Sequence, residues 1–398
     1  MHKQKLKWLI VVLGFIGYCT LLSSGFTKIG IDGFSIHDDI AQALLGLRLD
    51  LTENVLMGEA FTVGDTLQAY FGLTPALLHL PLHFLLGNVH LSLLFCLLGF
   101  ALCLVLFLRI TQDLHPWIFF AGVVYLLFFA VGTSTYYENI LWGINFSFAA
   151  ILFFRKKAFY IAAFFFLLCM HARPTIGLGL FTFFMASQLF ALKKPGRDGF
   201  SWGFIVAIVL AMSSYFLLNI FKFGLLSPSP MQHIQNGVNN IGLSQYSSSL
   251  YIVRNAVIYI FSPGQYEQYF LRTSLTHWLQ SWTAYRSTMQ VTDELVYGLA
   301  WTPFFYLALL NYKKHYVALL PAAMGFLVVA AILLTFGGIS QRYLLDAFPF
   351  IVLLLGTSYF VLSRFFYGFI CLYSIAYIYL VYFARMHNSM AYLYILPS

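Results

Sequence analysis

The chain has 398 residues, of which 61% are hydrophobic, 19% aromatic and only 9% charged. Its mean hydropathy of +0.81 excludes a soluble globular domain. A formal net charge of +8 would point to nucleic acid in a soluble protein, but here it reads as membrane orientation, and no nucleic-acid partner is expected.

The apolar runs are continuous rather than alternating, which excludes a β-barrel, and many are long enough for a hydrocarbon core of about 30 Å. The fold class is therefore an all-α polytopic membrane protein, with about eleven transmembrane helices in a single domain over residues 1–398. The expected spans are 8–27, 89–108, 116–132, 140–154, 158–172, 175–191, 201–221, 296–311, 316–336, 343–361 and 366–384. The first follows Lys3, Lys5 and Lys7 and reads as a retained signal anchor. The five cysteines all lie within apolar segments and read as buried, inert thiols without disulfide or zinc spacing.

Sidedness comes from lysine. Lys3, Lys5 and Lys7, then Lys156 and Lys157, Lys193 and Lys194, and Lys313 and Lys314 occupy short connections, so the positive-inside rule places these groups and the N-terminus in the cytoplasm. Residues 68–87 are long enough to span, but a crossing there would turn Lys156, Lys157, Lys193 and Lys194 outward. They are instead expected to form an interfacial helix broken by Pro75 and Pro81, with His79 and His83 toward headgroups. Two large outer segments result, 28–88 and 222–295.

Seven of the fourteen Asp and Glu residues (Asp32, Asp38, Asp39, Asp50, Glu53, Glu59 and Asp65) fall in the first outer segment, with the tightest knot at His37-Asp38-Asp39. Adjacent carboxylates coexist only with a cation, a proton or a metal. One of them could act as general base toward an acceptor hydroxyl, and the pair could ligate a divalent cation through oxygen. The bland alternative is that Asp38 caps a helix starting at Ile40. Further along, Glu138 in the turn Tyr136-Tyr137-Glu138-Asn139 could orient a sugar hydroxyl or support the Asp pair. His171 and Arg173, at the junction of two spans, could add positive charge around an anionic donor. Arg342, followed by Tyr343 at the outer mouth of a span, could grip a phosphate bidentately, or could simply pair with Asp346 one turn on. Trp278 and Trp282 could stack on a sugar but read better as interface anchors. The chain carries no Walker loop, dinucleotide fingerprint, Gly-x-Ser-x-Gly elbow or His-Glu-x-x-His, so a lipid-linked activated substrate suits an outward-facing reaction better than a nucleotide.

Taken together, the Asp38-Asp39 pair after the first span, the segment FGLTPALLHLPLHFLLG, the turn TYYENI and the start QRYLLDAFPF resemble the GT-C superfamily of membrane glycosyltransferases. That superfamily includes protein O-mannosyltransferases, the aminoarabinose transferase of lipid A and arabinosyltransferases. The resemblance covers most of the chain as a layout, with Asp-Asp where some members have Asp-Glu, and without the soluble C-terminal domain of several members. It implies a polyprenyl- or dolichyl-phosphate sugar donor, inverting transfer and outward catalysis by the acidic motif. The expected function is sugar transfer to a hydroxyl of a glycan, lipid or protein acceptor in the bacterial inner membrane. Asp38 or Asp39 would be the base. His37, Glu138, His171, Arg173, Arg342 and Tyr343 would bind substrate, with a divalent cation as the one conceivable cofactor. A surface-polysaccharide polymerase or ligase is the near alternative. A lipid or solute transporter is the distant one, disfavoured because the charges sit at span ends and no repeat is visible.

Overall fold

The computed structural model describes residues 2–22, 36–51, 60–63, 66–69, 72–87, 89–130, 135–193, 199–224, 235–236, 239–240, 249, 251–261, 299, 302–336, 341–356 and 367–376. The helices are α1 His2–Leu22, α2 Ile36–Leu45, α3 Thr74–Leu86, α4 Ser92–Ile110, α5 Pro116–Phe129, α6 Thr135–Arg155, α7 Phe159–Ala172, α8 Pro174–Leu192, α9 Trp202–Phe223, α10 Tyr251–Phe261, α11 Pro303–Thr335, α12 Phe348–Leu355 and α13 Tyr367–Ala376. Residues 60–69 add something the all-α reading lacks. Strands β1 (Ala60–Val63) and β2 (Thr66–Ala69) form a short antiparallel ribbon, joined by Leu51, whose N–H donates to the Leu67 carbonyl. A second ribbon pairs β3 (Gln235–Asn236) with β4 (Asn239–Asn240).

Among the described residues six helices are long and apolar enough to cross a membrane, in α1, α4, α6, α8, α9 and the second half of α11, and the protein is membrane-embedded. α5 and α7 have 14 residues each. At 1.5 Å per residue they are about 21 Å long, short of the hydrocarbon thickness. They nonetheless run between opposite ends of the bundle. Lys7, in the first turns of α1, donates to the carbonyls of Thr111 and Gln112 just past α4, both at 2.8 Å. Those two donor bonds cover orphan carbonyls at the end of α4. The lysine-rich start of α1 and the end of α4 thus share one end of the bundle, and the start of α6 lies at the other.

The bundle packs in a row: α5 on α1, α1 on α4, α4 on α6, α6 on α7, α7 on α8 and α9, and α8 on α11, which also carries α12. Its middle is a set of rings from five helices. Phe107 lies 4.8 Å from Phe119 and 5.3 Å from Phe348, and Phe348 is 5.6 Å from Phe304. Gly122 of α5 permits this, because a Cβ there would strike the rings of Phe107 and Phe304. Cys96, Cys103 and Cys169 are buried free thiols, as expected, while Cys19 and Cys371 are half-buried.

α11 is a continuous helical run of 33 residues, interrupted only at His315 (φ −128°, ψ 30°). Phe305 and Phe326 nevertheless lie with ring centroids 6.2 Å apart. A straight helix would separate them by about 30 Å. The chain therefore reverses at His315 into two antiparallel arms, matching the two spans expected on either side of Lys313 and Lys314. By contrast, the expected span 343–361 opens as a 3-10 turn, Gln341–Ala347, and becomes α-helical only at Phe348. Pro349 lacks an N–H and its ring would collide with the carbonyl four residues back, so α-helix can start there but not run through. The Asn311 amide donates to the carbonyls of Leu354 and Leu355, both at 2.7 Å, closing the end of α12. The segment 68–87 also differs from expectation. Its first residues belong to β2, Pro75 lies in the first turn of α3, and Pro81 sits inside an unbroken helix.

Cysteines introduced together at Phe305 and Phe326 should join under a short bifunctional thiol reagent, read as a 305–326 linked peptide by mass spectrometry. Failure of that link in folded protein would restore a straight α11.

Candidate functional site

Four elements converge at the end of the bundle opposite Lys7. α2 contributes Asp38 from its first turn, and α3 contributes His79 and His83. α4 contributes the N–H of Leu91 and the hydroxyl of Ser92, and α6 contributes Glu138, again from a first turn. The i, i+4 spacing of the two histidines puts both on one face of α3. That face is turned inward, contrary to the expectation of headgroup contact. His79 and His83 are 0% and 2% exposed, while Phe84, Leu85 and Leu86 are 60–76% exposed. With lipid outside, the apolar side chains take the outward face and the histidines take the carboxylates of Asp38 and Glu138.

His79 is the bridge. Its Nδ1 lies 2.7 Å from Asp38 Oδ1 and its Nε2 lies 2.6 Å from Glu138 Oε1. The ring stacks on Phe95 at 4.1 Å. The second imidazole, His83, places Nε2 at 2.7 Å from the same Asp38 oxygen and Nδ1 at 2.9 Å from the Gly87 carbonyl. The remaining carboxylate oxygens are also held. The Leu91 N–H donates to Asp38 Oδ2 at 3.2 Å, and the Ser92 hydroxyl donates to Glu138 Oε2 at 2.8 Å. Leu91 is the N-cap of α4, so Asp38 also sits in the favourable field of that helix terminus. Burial alone would push the Asp38 carboxyl up, but its bonds to His79, His83 and the Leu91 N–H outweigh it and hold the group below the usual carboxylate range. Burial would likewise depress His79, yet the two carboxylates bonded to its ring raise it to about 9.

Asp39, next to Asp38, is half-buried. Burial and the Asp38 charge push its carboxyl up to about 6, with His90 and His83 offsetting part of the rise. His90 is 58% exposed and approaches Asp38 Oδ2 at 3.9 Å. Thus Asp38 is buried, while Asp39 is half-buried and His90 is exposed beside it. The capping alternative fails on position. α2 begins at Ile36 rather than Ile40, which puts Asp38 inside the first turn, with its carboxylate directed onto α3. His37 is buried, its ring edge-on to His79 at 6.0 Å.

A second group adjoins the first across the start of α6. The Arg342 guanidinium lies 3.9 Å from the centre of the Tyr136 ring and 5.6 Å from that of Tyr343. Tyr136 packs against the small apolar cluster that includes Ile36, Ile40 and Ala76 of the α2–α3 unit. The expected alternative of Arg342 pairing with Asp346 is replaced by another partner. Arg173 grips Asp346 bidentately, Nε to Oδ1 at 2.9 Å and Nη2 to Oδ2 at 2.8 Å, and lies 5.3 Å from the Tyr343 ring. Its charge is therefore largely matched, whereas the sequence reading had it facing an anionic donor. Tyr343 is flanked by both arginines. His171 turns away, its Nε2 3.0 Å from the Ser214 hydroxyl oxygen and its ring edge-on to Tyr215. The backbone carbonyl of His171 sits against Gly72, where a Cβ could not fit, which docks the α7–α8 turn beside the lead into α3. Lys222 reaches the Ala69 carbonyl at 2.9 Å. Trp278 and Trp282 lie outside the described residues.

The i, i+4 histidine pair was visible in the sequence, but its inward direction was not. Ser92 gave no signal at all. No family model, curated protein or solved structure matches the chain.

Removing the bridge leaves two buried carboxylates facing each other, a loss of about 3–5 kcal/mol. His79→Ala should therefore lower the melting temperature of the detergent-purified protein sharply. His90→Ala, at an exposed contact worth about 0–1 kcal/mol, should leave it nearly unchanged. Glu138→Gln combined with His79→Ala should cost less than the sum of the two single changes, because they share one contact. Additive losses would show that the bridge is not a single unit.

Proposed function

We propose that the protein is a GT-C-like membrane glycosyltransferase. It moves a sugar from a polyprenyl-phosphate donor to an acceptor hydroxyl at the outer face of the membrane, the bacterial inner membrane in the simplest reading. The observation that carries this is the gathering of Asp38, Glu138 and Arg342 around the first turn of α6, with Asp39 next to Asp38 in the chain, at the end of the bundle away from Lys7. About eleven crossings, with α5 and α7 carried through on short helices, keep the lysine-rich connections cytoplasmic.

In this reading Asp39, at the rim, takes the proton from the acceptor hydroxyl as the new bond forms at the anomeric carbon. The bond to phosphate breaks on the opposite face, with inversion, and the lipid phosphate departs with the electron pair. Arg342 meets the developing phosphate charge with its fork of N–H donors. Arg173, matched by Asp346, holds Tyr343 and the start of the 3-10 turn in place. Asp38, Glu138 and His79 keep α2 and α6 in register so that Asp39 and Arg342 border one space. The transporter alternative draws less support, because these charged groups cluster at helix ends, whereas transporters place them near the bilayer midplane.

Loss of a general base costs about 10²–10⁴-fold in rate. Asp39→Asn should therefore abolish transfer from a polyprenyl-phosphate sugar in purified protein while leaving thermal stability near normal. Asp38→Asn should lower both. Arg342→Ala removes a charge-assisted contact of about 1.5–3 kcal/mol, roughly a 10–150-fold fall in kcat/KM, and Arg342→Lys should recover little of it. Normal transfer by both Asp39→Asn and Arg342→Ala would end this reading.

A further inference from the structure

Three ligand-type atoms converge inside the α2–α3 unit. Asp38 Oδ1, His79 Nδ1 and His83 Nε2 all lie within 4.8 Å of one another, and all three residues are buried. What singles the cluster out is how the far side of each imidazole is held. His83 Nδ1 faces the Gly87 carbonyl, an oxygen that can only accept, so that nitrogen carries its hydrogen. His79 Nε2 faces the Glu138 carboxylate and is fixed the same way. In neutral imidazoles the opposite nitrogens then hold lone pairs, and both lone pairs point at one carboxylate oxygen at 2.7 Å. Three acceptors meeting at a point need positive charge between them. Either two additional protons or one divalent cation supplies it, and both leave the set of Asp38, Glu138 and two histidines without net charge.

We propose that Asp38, His79 and His83 bind a divalent cation of the zinc type. Two imidazoles and one carboxylate suit a borderline metal rather than magnesium or calcium, which favour oxygen shells. Glu138 and the Gly87 carbonyl are the outer partners that fix which nitrogen of each ring is offered, a recurring feature of histidine ligands. Tetrahedral ligands with bonds of about 2.0–2.1 Å stand about 3.3 Å apart, so binding widens each 2.7 Å contact by about half an ångström. His90, exposed, stands beside the set, 3.9 Å from Asp38 Oδ2. The sequence allowed a divalent cation on the oxygens of Asp38 and Asp39. The proposed set keeps Asp38, adds the two imidazoles of α3 and leaves Asp39 outside. The assignment needs no assumption about the reaction the protein performs.

The test uses the full chain, purified in detergent, stripped with a chelator and titrated with Zn²⁺. The wild-type protein should take up one tightly held equivalent and gain thermal stability, with Mg²⁺ producing neither effect. His83→Gln, whose amide can still bond to Asp38 but ligates zinc poorly, should lose that equivalent, and Glu138→Gln should weaken binding about 10–100-fold. X-ray absorption of the zinc-loaded wild-type protein should give a shell of two imidazole nitrogens with oxygen, a reading that does not depend on any variant folding. Absence of a stoichiometric equivalent, its retention in folded His83→Gln, or a shell without two imidazoles would overturn the site.

Discussion

Two carboxylates buried in an apolar protein must be matched by positive charge, and in this chain His79 does the matching. Asp38 and Glu138 are 3% and 0% exposed, and each would carry a penalty of several kcal/mol if left alone. A single imidazole between them, at 2.7 and 2.6 Å, ties together a helix of the first outer segment, the proline-bearing helix after it and the start of α6. The Leu91 N–H and Ser92 bring in α4 through the other two oxygens. The packing of α2 and α3 onto the bundle thus rests on a polar junction, not on apolar area alone. α3 presents Phe84, Leu85 and Leu86 outward, while Leu78 and Leu82 pack half-buried against the core.

The same logic operates across α6. Asp346 is wholly buried and is matched by Arg173 from the α7–α8 turn. That pair fixes the 3-10 turn on which Arg342 and Tyr343 stand. The first turn of α6 touches both groups, through Glu138 on His79 and through Tyr136 under the Arg342 guanidinium. Lys7 at the opposite end spends its charge on carbonyls at the end of α4. Buried carboxylates and their cationic partners are thus gathered at one end of the bundle and Lys7 at the other.

Much of the bundle was legible. The expected spans 175–191 and 201–221 match α8 and α9 to within two residues at either end, because a long apolar run bounded by polar residues has one reading in a membrane protein. The reversal at His315 was legible from Lys313 and Lys314. Directions were not. In a soluble helix the apolar face marks the core, but around α3 lipid is as apolar as the interior, so no hydrophobic pattern says which way His79 and His83 point. The Asp38 cap was misplaced because residues 36–39 extend α2 by a turn that periodicity from Ile40 onward does not register. The Arg173–Asp346 pair joins residues 173 positions apart, and local spacing favoured Arg342, the neighbour at i−4. The β1–β2 ribbon lies among residues whose alternation is too short to stand out.

The account's central claim is that a lipid phosphate sits between Tyr343 and the first turn of α6. A polyprenyl phosphate bearing a photoreactive group next to its phosphate tests this directly in the purified chain. The account predicts covalent labelling of peptides covering residues 135–143 or 341–347, competed by unlabelled polyprenyl phosphate. Labelling confined to the end of the bundle that carries Lys7 and Lys156, or labelling that unlabelled lipid does not compete, would contradict it.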